Sequence, residues 1–134
     1  MKLVVDSNVI FTFFWKNAIA TDLFVFQDVE LYTPEFTLKE IEKYSKEIMK
    51  KGKIEQKEFI DVKKELQMLI TFVSLEKYKE LLEKALNVTP DPDDVDFFAL
   101  ALKMNLPIWS NDKKLKQQNI VKILTTKEVI ELFD

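Results

Sequence analysis

The side chains of this 134-residue chain that can do chemistry are of four kinds: carboxylates, hydroxyls, amides and lysine amines. There is no histidine and no cysteine, and all 20 basic residues are lysine. An imidazole base, a thiol nucleophile, a zinc site of the usual ligands and a disulfide are therefore excluded. Carboxylates with amides suit hard cations such as Mg²⁺ or Mn²⁺. Four acids stand where such chemistry can be assembled. Asp6 follows the apolar run KLVV directly, Asp112 ends the run PIWSND, Asp94 lies just after Pro92, and Glu40 lies early in the segment opened by Pro34.

The elements that must position these acids follow from apolar spacing and punctuation. Residues 2–5 read as a strand that runs into Asp6-Ser7-Asn8, residues that favour turns and helix N-caps. Phe11, Phe14, Trp15 and Ala18 keep helical spacing, and a second helical stretch covers 20–27. Residues 31–33 read as a strand, with Pro34 in the first turn of the next helix. Two amphipathic helices over 35–51 and 55–70 make a hairpin, with the only glycine, Gly52, at the expected C-cap. A strand is expected at 71–73, a helix at 76–86, a helix opened by Pro92 and running to Lys103, and a strand at 108–109. A short helix at 113–117, a strand at 121–124 and a closing helix at 126–133, capped by Thr125 or Thr126, complete the chain. Strands alternating with helices predict an α/β fold with a mainly parallel sheet of about four or five strands covered on both faces. In such sheets ligands bind beyond the carboxyl ends of the strands.

Taken singly, each acid has a structural explanation. Asp6 and Asp112 fit N-caps, Asp94 fits the first turn of a helix, and Thr37-Leu38-Lys39-Glu40 matches a capping box if its helix starts late. Taken together they point elsewhere, because acids closing adjacent strands bring like charges within a few ångströms and repel unless a cation neutralises them. Phosphodiester hydrolysis supplies a use for such a cluster: a divalent ion held by carboxylates activates water and stabilises the attacking and leaving oxygens.

At these residues the chain resembles the PIN-domain nucleases, which include VapC-type toxins and the flap-endonuclease-like superfamily. The resemblance rests on the strand plus DSN at 6–8, PEFTLKE with Glu40, DDVDFFALAL at 93–102 and PIWSND at 107–112, and it covers nearly the whole chain. It implies a PIN-like three-layer sandwich forming one nuclease domain over 1–134. It implies further that Asp6, Glu40, Asp94 and Asp112 bind Mg²⁺ or Mn²⁺, with Ser7, Asn8 and Ser110 in support. Asp94 takes the third position because it stands eighteen residues before Asp112 with an apolar helix between, as in the family. Asp91 before Pro92 is most simply an N-cap, Asp93 is accessory, and Asp96 is a fallback ligand. Asp94 and Asp96 lie about 200° apart on a helix and cannot both face one metal.

Lys39, Lys43, Lys46 and Lys50 recur at helical steps beside Glu40, Lys51, Lys53 and Lys57 continue across the turn, and Lys113, Lys114 and Lys116 flank Asp112. Lys39, Lys43 and Lys113 are the expected contacts to a polyanion. The same lysines also form i,i+4 pairs with Glu35, Glu42 and Glu47, as on any solvated helix. Without arginine there is no bidentate fork for phosphate or guanine, so weak sequence specificity is expected. The aromatics Phe11, Phe13, Phe14, Trp15, Phe24 and Phe26 exceed what two helices need inward, which suggests a homodimer interface or an antitoxin groove.

A net charge of −3 gives no global basic footprint, and no run approaches the ~20 apolar residues that span a bilayer. The expectation is a cytoplasmic, metal-dependent endoribonuclease cutting RNA by metal-activated water, either the toxin of a toxin-antitoxin pair or an RNA-processing enzyme. The alternative is a catalytically inactive PIN-like scaffold that binds RNA or protein. A phosphatase of the haloacid dehalogenase type would use Asp6 as nucleophile but wants a second Asp where this chain has Asn8.

Overall fold

A computed structural model of the protein describes residues 1–15 and 28–133. The expected helix at 20–27, with Ala18, Phe24 and Phe26, lies outside the described residues. Five strands form one all-parallel sheet: β1 (Lys2–Val5), β2 (Glu30–Pro34), β3 (Ile70–Val73), β4 (Ile108–Trp109) and β5 (Ile123–Leu124), in the order β3-β2-β1-β4-β5. Leu3, Val4 and Val5 are all fully buried, as a continuous apolar strand must be when both faces of its sheet are covered. Alternation does the rest. Leu3, Val5, Trp109 and Leu124 point into one core, while Val4, Ile108 and Ile123 point into the other.

Seven α-helices of the described residues supply the outer layers. On the first face lie α1 (Ser7–Thr12), α2 (Thr37–Lys43), α3 (Ser45–Gly52), α4 (Gln56–Leu69) and α7 (Thr126–Glu131), whose buried residues include Val9, Ile41, Ile48, Phe59 and Val129. On the second lie α5 (Leu82–Leu86) and α6 (Val95–Met104), the latter burying five consecutive residues from Phe97 to Ala101. The result is the three-layer α/β sandwich that the sequence predicts. No helix of the described residues is long and apolar enough to cross a membrane.

Several boundaries differ from expectation. Pro34 ends β2 instead of opening a helix, and α2 starts at Thr37. The helix expected over 35–51 breaks at Tyr44 (φ −101°, ψ 17°), whose ring turns onto Phe11 at 6.0 Å, edge-on. The helix expected over 76–86 becomes two 3₁₀ turns, Leu75–Lys77 and Lys79–Leu81, followed by α5. Between those turns Tyr78 leaves helical geometry, is almost fully buried and donates its hydroxyl proton to Asp96 at 2.5 Å. Residues 121–122 are not in β5. There the Gln118 side chain accepts from the N–H groups of Ile120 and Val121 and donates to the carbonyls of Leu115 and Val121.

Gly52 ends α3, but the left-handed position after it belongs to Lys53 (φ 56°). The glycine is there for space: a Cβ would stand 2.9 Å from the Phe14 carbonyl oxygen and 3.2 Å from Trp15 Cδ1. An alanine favours a helix by about 0.5–1 kcal/mol over glycine, but this contact is with backbone, which cannot swing aside. The clash should win. We expect Gly52→Ala to lose about 1–3 kcal/mol, as over-packed sites do, visible as a lower urea midpoint. An unchanged or higher midpoint would show that the Phe14–Trp15 turn yields freely.

Candidate active site at the carboxyl edge of the sheet

Strand order reverses between β1 and β4, so the crevice of this sheet opens at the carboxyl ends of those two strands. Val5 pairs in register with Trp109, and the Asp6 N–H donates to the Trp109 carbonyl at 3.2 Å, which fixes where both chains leave the sheet. Asp6 then caps α1, its Oδ1 accepting from the Val9 N–H at 2.9 Å. Ser110, fully buried after β4, hydrogen-bonds the Asp6 carboxylate and accepts from the Asp112 N–H at 3.1 Å. Asp112 caps the 3₁₀ turn Lys113–Gln117 through Oδ1 and the Lys114 N–H, at 3.0 Å. Its loop is pinned to α7, because Asn111 Nδ2 donates to the Thr126 hydroxyl oxygen and the Thr126 N–H donates to Asn111 Oδ1. Trp109 Nε1 donates to the same hydroxyl at 2.9 Å.

Glu40 reaches the crevice from α2. The capping box with Thr37 does not form, since the Thr37 hydroxyl donates instead to the Pro34 carbonyl and α2 has no side-chain cap. Glu40 Oε1 accepts from Ser7 Oγ at 2.6 Å, across 33 residues of sequence. Asp94 sits between the 3₁₀ turn Pro92–Asp94 and α6, half-buried and making no capping bond, while Asp91 accepts from the Asp93 N–H.

Asp6, Glu40, Asp94 and Asp112 line one cavity of about 680 Å³, with Ser7, Asn8, Asp93 and Asn111. Asp96 is placed elsewhere, held by Tyr78 and absent from the lining. Burial raises the Asp6 carboxyl to about 6, with the charges of Asp112 and Glu40 adding to the rise while hydrogen bonds from Ser110 and Val9 oppose it. Asp94 is likewise pushed up to about 6, by burial first and then by Asp91, Asp6, Asp112 and Asp93. Carboxylates on four different elements thus feel one another.

Among the described residues no group of three or more acids forms a ready metal cage. The donor set nonetheless suits a hard ion, being all oxygen, and Mg²⁺ keeps several waters and takes only one or two carboxylates directly. Asp6 and Asp112 each spend one oxygen, Oδ1, on the backbone bond that caps the following turn.

The lysine expectations fare differently. Lys39, Lys43 and Lys113 do not line the cavity, whereas Lys51 does, together with Glu47 and Tyr44. The stripe of Lys39, Lys43, Lys46 and Lys50 is not continuous either, because the helix breaks at Tyr44, and the Lys43 ammonium lies 5.2 Å over that ring. Of the three helical ion pairs expected there, none is among the ion pairs of the described residues, and Glu42 joins Lys63 of α4. The signal for the cavity face was available: Glu40, Tyr44, Glu47 and Lys51 recur at steps of four, three and four, one residue along from the lysine stripe. One residue is about 100° of helix.

An all-parallel sandwich with carboxylates around its switch-point crevice is an arrangement that several α/β families share. Family comparison says which: the PIN-domain model matches residues 4–133, and the chain belongs to the PIN-domain family. Among curated proteins, none matches it. PIN domains are generally nucleases and usually use divalent metal ions.

The raised carboxyls have a consequence for stability. Between about pH 4 and 6 folded Asp6 holds a proton that the unfolded chain has released, so its contribution to stability falls as pH rises through that window. Above about 6 the full penalty is present. In EDTA at pH 7.5, Asp6→Asn, which keeps the Oδ1 acceptor for Val9, should therefore be more stable than wild type by about 1–3 kcal/mol, or roughly 4–11 °C in Tm. The gap should close towards pH 4. Thermal melts across pH check this, and a variant less stable at pH 7.5 would contradict the charge crowding.

Proposed function

We propose that this chain is a metal-dependent endoribonuclease, a single PIN domain over 1–134 that hydrolyses RNA phosphodiesters with Mg²⁺ or Mn²⁺. The observation that supports it is the convergence of Asp6, Glu40, Asp94 and Asp112 on one cavity at the carboxyl edge of the sheet. These acids would hold the ion. When bound, it supplies Lewis acidity for the attacking water and neutralises charge on the leaving oxygen. The protein's own residues do the positioning. Ser7 orients Glu40 by its 2.6 Å hydrogen bond, and Ser110 ties Asp6 to the Asp112 loop. Asn8 offers an amide donor at the cavity wall, Asn111 holds the Asp112 loop to Thr126, and Lys51 supplies a point charge for phosphate. The raised carboxyls favour activity above about pH 6, where Asp6 and Asp94 are both charged and able to bind a cation.

The test is cleavage of a mixed-sequence single-stranded RNA by purified protein with Mg²⁺ or Mn²⁺, beside an EDTA sample and an Asp6→Asn protein prepared identically. Cutting that needs metal should fall on the order of 10²-fold or more in Asp6→Asn, Asp94→Asn and Asp112→Asn, and Glu40→Gln should be impaired likewise. Ser7→Ala should lose roughly tenfold, as residues that orient ligands do. If wild type and Asp6→Asn cut alike, the activity belongs to a contaminant. If neither cuts while RNA still binds in EDTA, an inactive PIN-like scaffold is the better description.

A further inference from the structure

The carboxylates occupy only part of the cavity wall. Phe11, Trp15 and Tyr44 line it too; Phe11 and Tyr44 pack against the core on one side only, and Trp15 is exposed, whereas Phe13, Phe14 and Trp109 are buried in it. Phe11 is half-buried against Tyr44, and Trp15 leaves 41% of its surface exposed. The indole is also held in place. Its Cδ1 lies 3.2 Å from the point where Gly52 would carry a Cβ, so the chain's one glycine sits where α3 closes on this ring. Lys51, next to that glycine, is the one lysine of the cavity lining among the described residues.

Among the described residues, a polyanion approaching this cavity meets carboxylates on most sides and one lysine. Charge alone does not draw a strand in, and a bound cation offsets only part of the repulsion. A contact that does not depend on charge is needed, and aromatic faces beside a phosphate-cleaving centre provide one. Nucleobases stack on exposed aromatic rings with little regard to sequence, because every base has a π face. Bases inside a duplex are already stacked and must be extruded at a cost before they can use such a ring.

We propose that Trp15, with Tyr44 and Phe11 beside it, is a base-stacking subsite that takes a nucleobase adjoining the scissile phosphate and so selects single-stranded nucleic acid. Lys51 meets a phosphate of the same strand. The word scissile rests on the nuclease reading above; the stacking itself does not.

The chain has two tryptophans, and Trp109 is fully buried, so quenching on binding reports Trp15. Phosphorothioate-linked 12-mers that resist cutting, as RNA and as DNA, are titrated against the wild-type protein with Mg²⁺ and with EDTA. Each is compared with an abasic 12-mer of equal charge and with a duplex. The base-bearing single strand should quench and the abasic strand should not, the duplex should bind more weakly, and the RNA and DNA arms tell which backbone is preferred. Trp15→Ala should bind roughly five- to a hundredfold more weakly. Trp15→Phe should lose the signal but keep most of the affinity, measured by fluorescence anisotropy of a labelled strand.

Equal binding of abasic and base-bearing strands, or Trp15→Ala as tight as wild type, would overturn the proposal even if the protein proves to be a nuclease. So would absence of binding by any strand, or a concentration-dependent dimer, seen by light scattering, that Trp15→Ala abolishes. Metal-dependent cleavage failing while the stacking signal persists would remove the nuclease reading and leave this one standing.

Discussion

The site depends on one pairing, that of β1 with β4. Because these strands are adjacent, parallel and in register at Val5 and Trp109, the chain leaves the sheet twice in the same direction at nearly the same place. From Leu3 to Val5 and from Ile108 to Trp109 the strands are buried on both faces and wholly apolar, and the first polar positions after them, Asp6 and Ser110, are brought together. That proximity costs free energy when both Asp6 and Asp112 are charged. Ser110 relieves part of it by serving Asp6 and the Asp112 backbone at once. The Trp109 and Asn111 bonds to Thr126 then keep the second loop from relaxing away from the first. A carboxylate cluster can persist only on supports of this kind, since its members would otherwise drift apart into solvent.

The competing explanations of these acids, cap or ligand, are not exclusive. An ionised carboxylate has two oxygens, and an N-cap needs one. Asp6 and Asp112 both cap through Oδ1, and the bond fixes the orientation in which the rest of the group is presented. Glu40 differs. Its local motif invited a capping box, but the start of α2 follows a strand ending in Pro34, whose carbonyl takes the Thr37 hydroxyl, and Glu40 turns to Ser7. A partner 33 residues away is invisible to any rule that scans four positions.

The same distinction separates what was legible in the sequence from what was not. Strands were legible where they are apolar on both faces, as KLVV is, and helices where apolar spacing or a cap announces them, as Thr125 with Glu128 does for α7. The order and end positions of these elements are enough to place four acids at one edge of the sheet. The breaks at Tyr44 and Tyr78 were illegible because each is caused by a ring seeking a distant neighbour, Phe11 in one case and Asp96 in the other. The cavity-facing side of α2 and α3 was missed by one position: lysines were followed by type, whereas the face is defined by Glu40 and carries Tyr44, Glu47 and Lys51. Asp96 drew attention as a polar residue in an apolar run, and the run's own partner, buried Tyr78, accounts for it.

The direction in which acids are perturbed sorts this surface without reference to any motif. Glu80 and Glu128 are held below the usual carboxylate range by lysine partners, Lys103 and Lys116, in exposed pairs of the ordinary stabilising sort. Asp6 and Asp94 are moved the opposite way, by burial first and then by neighbouring carboxylates, and they line the same cavity. A fold selected for stability alone has simple remedies at such positions, since asparagine keeps the cap at Asp6 and removes the charge. Buried acids with raised pKa that line a crevice are candidates for a chemical role. In this chain they lie at the edge of the sheet where strand order reverses, the place at which parallel α/β folds bind their ligands.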